Sequence, residues 1–441
     1  MLNYFYCSLT QFSLHSQYIP NDSSLKWYQL EPNDAKELVI KMVLFVLCPF
    51  AAFLGSLLRP TSKSSFVIYF LFGILFCWHM DPKGLVVYDD YIGIRDLFLK
   101  YKYTMTDFYD KLWLYITFEG KEKELYSVFL NAFTRQFSDN YHLFFAIASV
   151  PYLLFSLLSV RKMVTDNEFP LWGFMSLIII LLFVIPRDIV TVQNPRYTTG
   201  VWITMWGFLN YFDQSARNRY LYVIPILLTP FIHSGFWPMI FVYILAISLP
   251  LSAHIKTLHI IFFASIPFSL LSYDLFNGIN YSFLPPAISN WIEMYLNDDF
   301  YAKFVQKKGA SGFFWVSQLF SYIIYGLYLY IPLILMKKSN EILCRDDIGK
   351  LYPFYILLFS VTNFIRLLPV IGQRYLFTVQ IMSIFMFYKV FYPQKSKFFY
   401  ILLGGWSFHI FFRWFYSGAG LYLVPKNIYY DNLFSLIIDY L

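Results

Sequence analysis

Residues 140–162 read NYHLFFAIASVPYLLFSLLSVRK, an apolar run that is followed directly by Arg161 and Lys162. An α-helix needs about 20 predominantly apolar residues to cross the hydrocarbon core of a bilayer. Basic residues at the end of such a run are typical of the cytoplasmic side of a membrane helix. The segment therefore predicts a transmembrane helix with Arg161 and Lys162 inside.

The composition of the whole chain agrees with this interpretation. Of its 441 residues, 58% are hydrophobic and 14% are charged, whereas a soluble chain carries roughly 25% charged residues. The net charge of +7 comes from Lys and Arg in short groups beside apolar runs, which suits anionic lipid headgroups better than nucleic acid. These values predict an all-α, polytopic integral membrane protein without a large soluble domain.

Apolar runs predict about twelve transmembrane helices in a single transmembrane domain over residues 38–415. Lys and Arg concentrate in alternate short loops, while the other short loops hold Arg187, Arg196 and Arg374. The positive-inside rule makes the lysine-rich loops cytoplasmic and places both termini outside. The runs lie near residues 38–58, 64–79, 140–160, 170–186, 197–212, 220–233, 235–250, 257–273, 311–336, 351–371, 375–392 and 398–415.

Two long loops, residues 80–139 and 274–310, fall on the outer side of this topology. In the first, residues 104–118 and 124–137 mix Tyr, Phe, Trp and Leu with Asp, Lys and Asn. Such segments are typical of helices that lie in the membrane interface. Two outward tails are also expected, at residues 1–37 and 416–441.

Residues 229–238, TPFIHSGFWP, predict a break between two short helices. The runs on either side, 220–233 and 235–250, would reach about 21 to 24 Å, less than the roughly 30 Å of the hydrocarbon core. Irregular backbone at that depth is tolerated only when it is buried in protein or lines a wet cavity. His233 is therefore a candidate cavity residue, and the alternative is that it is a structural hydrogen-bond partner.

Arginines on the outer side are candidate anion ligands. Arg366 lies inside the outer end of its predicted helix, where a charge costs roughly 2.5 to 3.5 kcal/mol. Arg187, Arg196 and Arg374 lie at the outer ends of other predicted helices. Guanidinium groups bind phosphate oxygens bidentately and stay charged, so a group of them indicates a diphosphate site. The alternative is that each side chain snorkels to lipid headgroups.

Residues of the outer loops are further candidates. Sugar rings stack on aromatic faces, so Tyr91, Trp291 and Tyr295 are candidate sugar contacts, although most such aromatics anchor a protein at the membrane interface. Asp90 is a candidate base or a solvated surface carboxylate. The chain has no Walker loop, no Gly-x-Ser-x-Gly, no His-Glu-x-x-His and no Asp-x-Asp pair. No motif in the sequence therefore predicts a cofactor or a metal site.

Several short motifs occur in a familiar order: Asp90-Tyr91, Glu124-Leu125-Tyr126 with Asn131, NYHLFF at 140–145, an arginine opening the fifth span, Phe231-Ile232-His233-Ser234, and Arg374-Tyr375. With them the chain resembles the EpsG family of bacterial polysaccharide polymerases, within the Wzy class that builds the O-antigen of lipopolysaccharide, capsule and exopolysaccharide. The resemblance covers residues 38–392. It departs from the family at Tyr88-Asp89, where Gly-Thr is usual, and at Tyr197, where Gln commonly follows the arginine.

The resemblance implies a glycosyltransferase of the bacterial inner membrane whose active site faces the periplasm. Its donor would be a glycan on undecaprenyl diphosphate, and its acceptor a single lipid-linked repeat unit. Membrane lipids, a chain-length regulator and a flippase are the implied partners, with no nucleic acid, nucleotide sugar or metal. A transporter or flippase of lipid-linked oligosaccharides and an O-antigen ligase-like enzyme are the alternatives; a transporter often shows inverted repeats, and none is found.

The resemblance also implies roles for the candidate residues. The arginines would bind the diphosphate and stabilise it as the leaving group, with Arg196 part of the catalytic set. His233 would be the base or would orient the acceptor, because imidazole titrates near ambient pH. Asp90 is the next candidate for the base. The implied diphosphate ligands are Arg187, Arg196, Arg366 and Arg374.

Overall fold

A computed structural model describes residues 32–80, 89–117, 125–164, 174–184, 195–269, 314–366, 371–392, 399–406 and 425–438. Within these ranges the chain is helical and forms no β-strand, which confirms the predicted all-α class. The helices are α1 (Pro32–Leu47), α2 (Pro49–Ser56), α3 (Lys63–Trp78), α4 (Asp89–Lys100), α5 (Met105–Ile116), α6 (Tyr126–Arg135), α7 (Tyr141–Val164), α8 (Phe174–Val184), α9 (Pro195–Tyr211), α10 (Val223–Ile232), α11 (Trp237–Ser248), α12 (Ile255–Phe268), α13 (Phe314–Met336), α14 (Ser339–Leu343), α15 (Leu351–Ile365), α16 (Ile371–Phe391), α17 (399–406) and α18 (Leu433–Ile438).

Within the described ranges, one helix is both long enough and apolar enough to cross a bilayer. This helix is α7, which has 24 residues and carries Arg161 and Lys162 in its last turn. It corresponds to the run expected at 140–160. Shorter apolar helical stretches, counted with their adjoining 3₁₀ turns, have 10–17 residues. They are Lys63–Trp78, Arg219–Ile232, Ser234–Ser248, Ile255–Phe268, Tyr322–Met336 and Leu351–Ile365.

Helices α9, α15 and α16 form the centre of the bundle. Helix α9 packs between α7 and α10, and α15 packs against α11, α12 and α16. Helix α16 contacts α9 as well as α15, so it joins the two groups, and it also contacts α13. Trp202 of α9, Tyr355 of α15 and Met382 of α16 are fully buried. Helices that are apolar on all sides are found in such central positions because neighbouring helices cover every face.

The outer helices turn apolar faces outward. Ile40 of α1 is 68% exposed, Ile224 of α10 58%, Phe241 of α11 63% and Ile260 of α12 68%. Single exposed apolar side chains are ordinary on protein surfaces, but contiguous apolar faces mark contact with another protein or with lipid. The bundle therefore presents surfaces that water solvates poorly.

The first predicted crossing, residues 38–58, is wrong because the chain reverses within it. Cys48 is extended and Pro49 starts α2, since proline cannot continue a helix and restricts the residue before it. Glu37 of α1 forms a salt bridge with Arg59, beyond the end of α2. A continuous helix would hold these residues about 33 Å apart. Helices α1 and α2 are therefore the two arms of a hairpin.

A buried polar cluster lies at the open end of this hairpin, opposite the turn at Cys48. Nζ of Lys41 donates to Ser64 Oγ at 3.1 Å and to Ser65 Oγ at 2.7 Å, at the start of α3. The start of α1 and Arg59 consequently lie at the same end of the bundle, whereas the single crossing placed them at opposite ends. Residues 32–37, which were expected to belong to an outward tail at 1–37, form the start of α1, and the rest of that segment lies outside the described residues.

The interfacial segments expected at 104–118 and 124–137 are indeed helical, as α5 and α6, which pack against each other. A capping box begins α5: Thr104 Oγ1 accepts from the Asp107 N–H at 3.2 Å, and the Asp107 carboxylate accepts from the Thr104 N–H at 2.7 Å. Helix α4 precedes them and was not expected. The second outer loop, 274–310, lies outside the described residues.

The segment expected to be a C-terminal tail, residues 416–441, packs on the first helices over its described part. The ring of Tyr429 lies 5.0 Å from that of Phe50 in α2. The carbonyl of Leu436 in α18 lies 3.1 Å from Nε2 of His79, just after α3. These contacts order residues 425–438 against the bundle.

The short basic loops meet at one end of the bundle, which we call the basic end. The loop after α9 contacts the end of α7 and also the loop between α14 and α15. The loop between α14 and α15 in turn contacts the end of α16. The contacts join Lys162 to Asp213, Gln214 to Asp346, and Arg345 to Lys389. The starts of α9 and α16 and the turn between α10 and α11 lie at the other end.

Candidate functional site

The helix break expected at 229–238 is present and is centred on His233. Helix α10 ends at Ile232, His233 is extended, and a 3₁₀ turn over Ser234–Phe236 leads into α11. The two helices have 10 and 12 residues, so they reach about 15 and 18 Å. Both are shorter than expected, because Arg219–Tyr222 forms a 3₁₀ turn rather than the start of α10, and Ser234–Phe236 forms one rather than the start of α11.

Tyrosines from distant helices satisfy the backbone of this turn. Tyr115 of α5 donates to the carbonyl of Pro230 at 2.7 Å. The hydroxyl of Tyr375 in α16 donates to the carbonyl of Gly235 and accepts from the Met239 N–H at 3.2 Å. A break in a buried helix leaves backbone groups without helical partners, and each such group is costly unless another partner is supplied. The tyrosines supply those partners and hold the turn in one conformation.

Helix α9 packs against the same turn through a glycine. The ring of Phe236 stacks on Tyr197 with 4.9 Å between centroids and covers Gly200. A Cβ atom at Gly200 would lie 2.3 Å from Cε2 of Phe236, which is far inside van der Waals contact. Only glycine permits this approach, so Gly200 positions the start of α9 beside the residues that follow His233.

His233 and Arg374 meet in this region. Nη1 of Arg374, in the first turn of α16, lies 2.9 Å from Nε2 of His233. The ring of Tyr197 lies 5.4 Å from the imidazole, edge to face, and 5.4 Å from the Arg374 guanidinium. His233 is 3% exposed and Arg374 is half-buried. Three elements therefore place an imidazole, a guanidinium and a phenol ring together.

The two nitrogens of His233 both face hydrogen-bond donors. Nδ1 accepts from the Gly235 N–H at 2.9 Å, while Nε2 faces the Arg374 guanidinium. A neutral imidazole has a single acceptor nitrogen, and an imidazolium has none. Each neutral tautomer can thus satisfy one of the two contacts, and a doubly protonated ring satisfies neither. A negatively charged oxygen near Arg374 would accept from the guanidinium and leave the imidazole to the Gly235 N–H.

Arg366 lies at the end of α15 and stacks on Tyr325 of α13. The guanidinium carbon is 3.2 Å from the ring centroid, a close cation–π contact. The Tyr325 hydroxyl donates to Oδ1 of Asn363 at 2.7 Å, and Nδ2 of Asn363 donates to Ser265 Oγ at 2.9 Å. Nη1 of Arg366 is buried and has no hydrogen-bond partner within the described part of the chain. The Tyr325 ring therefore holds the face of the guanidinium, while its Nη1 remains available to donate a hydrogen bond.

The first turn of α16 lies directly against Arg366. A Cβ atom added to Gly372 would lie 2.3 Å from the Arg366 Cα and 2.7 Å from its carbonyl oxygen. This close approach brings the turn that carries Arg374 against the end of α15. Arg366 and Arg374 therefore enter the same region from two touching helix ends.

The other predicted residues are placed as follows. Arg196 is half-buried in the first turn of α9, directly before Tyr197. Asp90 and Tyr91 are in the first turn of α4, and their side chains are outside the described part of the structure. Arg187, Trp291 and Tyr295 lie outside the described residues. The structure thus brings together His233 and Arg374, with Arg196 and Arg366 on adjoining elements.

Sequence reasoning missed the aromatic residues that hold these groups. Tyr197, Tyr325 and Tyr375 contact Arg374, Arg366 and the His233 turn, respectively. One local signal was present, since Arg196-Tyr197 and Arg374-Tyr375 are both Arg-Tyr pairs in the first turn of a helix. Nothing in the sequence marked Tyr325, which lies within an aromatic-rich helix.

Within the described ranges, no group of three or more His, Cys, Asp or Glu residues is placed to hold a metal ion. No family model, curated protein or solved structure matches this chain. The chemistry of the site is therefore inferred from its own residues, which supply cationic and neutral donors around a buried helix break.

Proposed function

We propose that the chain is a polysaccharide polymerase of the inner membrane. It transfers a glycan from undecaprenyl diphosphate onto the terminal sugar of an incoming lipid-linked repeat unit, at the outer face. The observation that supports this proposal best is the contact of His233 with Arg374 in a buried helix break, which places an imidazole and a guanidinium side by side. A diphosphate has the charge and the acceptor oxygens that such a site needs.

A polytopic membrane location is part of the proposal. Its support is the length of α7, the apolar faces that the outer helices expose, and the collection of basic loops at one end of the bundle. The break at His233 also fits, because membrane proteins tolerate irregular backbone where protein groups satisfy it. In this orientation the basic end is cytoplasmic and the site of His233 and Arg374 faces outward.

The reaction breaks the bond between the anomeric carbon and the diphosphate oxygen and forms a bond to the acceptor hydroxyl oxygen. Negative charge accumulates on the diphosphate as the bond breaks. Arg374 and Arg366, with Arg196 beside them, stabilise that charge in the transition state. Arg366 is suited to this task because its buried Nη1 has no hydrogen-bond partner among the described residues. The acceptor hydroxyl loses its proton to a base.

His233 is the proposed base, and this role sets a requirement on one of its two ring nitrogens. A base needs the lone pair on Nε2, the nitrogen that faces Arg374. A charge-assisted bond from Arg374 favours the tautomer with that lone pair. When a diphosphate draws Arg374 away, Nε2 becomes available to the acceptor hydroxyl. The other tautomer, with Nδ1 bonded to Gly235, makes His233 a donor that orients a substrate oxygen, and Asp90 is then the base.

The experiment that tests the function uses purified protein and lipid-linked repeat units in detergent. Formation of polymer, resolved by electrophoresis, supports the proposal. Unchanged repeat units that move between the leaflets of reconstituted vesicles indicate a transporter. In a parallel reaction with added lipid A core, transfer of the glycan to that acceptor without formation of polymer indicates a ligase. His233→Ala, purified in parallel, controls for contaminating activity.

A further inference from the structure

A second site lies at the basic end, opposite His233 and Arg374. A cavity of 240 Å³ opens between the loop after α9, the turn after α11 and the start of α15. Its floor includes Phe212 and Phe354, which stack with 4.7 Å between centroids. Its rim carries Arg219 and Lys350. The cavity therefore combines an aromatic floor with two cations at its mouth.

The backbone fixes the position of the arginine. Asn218 is left-handed, with φ of 56°, a conformation in which Asn is enriched. It starts the 3₁₀ turn that carries Arg219 and Tyr220. The guanidinium of Arg219 donates to the Tyr220 hydroxyl at 3.0 Å, and Lys350 interacts electrostatically with the same tyrosine. Arg219 and Lys350 thus approach one another around Tyr220.

These two cations have no acidic partner within the described part of the chain, and two acids at this end of the bundle are engaged elsewhere. Asp213 binds Lys162, and Asp347 binds Arg345 and Lys389. Burial raises the pKa of Asp347, but the hydrogen bonds and charge of Arg345, with Lys389, bring it below its ordinary value. The mouth of the cavity consequently carries uncompensated positive charge.

The walls indicate what kind of anion fits. Ile247 and Leu249 line the cavity and are 43% and 51% exposed on the outer surface of the bundle. A volume of about 240 Å³ has room for a phosphodiester group together with bound water. A ligand that satisfies both the cations and the exposed apolar wall has an anionic head and an apolar tail.

We propose that this cavity binds the headgroup of an anionic phospholipid. The phosphodiester lies between Arg219 and Lys350, and the acyl chains lie outside, along Ile247 and Leu249. Basic pockets on the cytoplasmic side of membrane proteins bind anionic headgroups in this manner. The site is separate from the proposed glycosyl transfer, and it is a lipid contact that stabilises the basic end.

Thermal unfolding in a neutral maltoside detergent tests the proposal through tryptophan fluorescence. Phosphatidylglycerol should raise the midpoint in a saturable way, and phosphatidylcholine with the same chains should not. Arg219→Gln with Lys350→Gln should need at least tenfold more phosphatidylglycerol for the same shift. The matched control, Arg217→Gln with Lys256→Gln, removes the same charge at the same end without touching the cavity and should respond as the wild type does.

Three results would overturn the proposal. An equal loss of response in the control pair would mean that only overall charge matters. A shift with inorganic phosphate at the same concentrations as with the lipid would indicate a site for free anions. Ala246→Leu narrows the cavity and keeps both charges, so an unaltered lipid response would remove the cavity from the interaction. This last variant decides the question if the double variant does not fold.

Discussion

Nη1 of Arg374 lies 2.9 Å from Nε2 of His233, although 141 residues separate them in the chain. Because the Gly235 N–H occupies the other nitrogen of the ring, the imidazole cannot serve both donors at once. Binding of an anion to Arg374 would therefore change what His233 can do. In the proposed function, this coupling separates a catalytic pair from two residues that only brace the turn.

The first prediction concerns His233 as a base. His233→Ala should still bind donor, because diphosphate recognition belongs to the arginines, but turnover should fall by about 10² to 10⁴. His233→Asn and His233→Gln should stay impaired, since an amide does not accept the proton. The measurement is polymer formed per unit time at matched protein concentration. Near wild-type rates for the amide variants would make His233 a hydrogen-bond donor and assign the base to Asp90.

The second prediction concerns the stacked guanidinium of Arg366. Arg366→Ala should abolish polymer without impairing membrane insertion, and Arg366→Lys should also be strongly impaired, because a point charge does not reproduce the planar fork. Tyr325→Leu removes the ring under the guanidinium and should raise the KM for the donor. Tyr325→Phe is the matched control that keeps the ring, and it should be milder. Full-length polymer from both Arg366 variants would favour simple snorkelling.

The third prediction concerns the contact of Gly200 with Phe236. Gly200→Ala places a methyl group 2.3 Å from the ring, and overpacking of this kind costs about 1 to 3 kcal/mol. The variant should unfold at a lower temperature and lose polymerase activity, because the His233 turn must move. Gly326→Ala, with nothing within 4 Å, is the control and should be neutral or slightly stabilising. Partial rescue by Phe236→Leu would confirm that the ring is the obstacle.

The fourth prediction concerns the hairpin of α1 and α2. Three variants each carry one cysteine, at the exposed positions Lys36, Arg217 or Gln136. In all three, the native cysteines are replaced by serine. With the outer membrane permeabilised, an impermeant maleimide should label the Gln136→Cys variant in whole cells. The Lys36→Cys and Arg217→Cys variants should react only after lysis, because both positions lie at the basic end. Lys36 lies there because α3 runs antiparallel to α7: Nδ1 of His142 contacts the carbonyl of Trp78, so the start of α3 lies beside the end of α7. Labelling of Lys36→Cys in whole cells would restore a single crossing over residues 38–58.

Local features of the sequence were sufficient for most of the helices and for the break. Gly235 lies in the turn and Pro238 in the first turn of α11, because glycine favours turns and proline is tolerated at the start of a helix. Pro230 lies within α10, which continues to Ile232. The basic loops were recognisable for a similar reason, since their charges alternate along the chain. Helix α4 was missed because Asp89–Lys100 mixes charged and apolar residues without a long run.

The sequence by itself determined that this chain is helical, apolar and broken at His233, because these properties depend on residues close together in the chain. Only the tertiary structure decided that α1 and α2 reverse, that Arg374 faces His233, and that Tyr325 lies under Arg366. Pro49 shows where a helix must stop, but the reversal depends on Glu37 meeting Arg59. Such contacts join residues far apart in sequence, and packing of whole helices selects them from many possible partners.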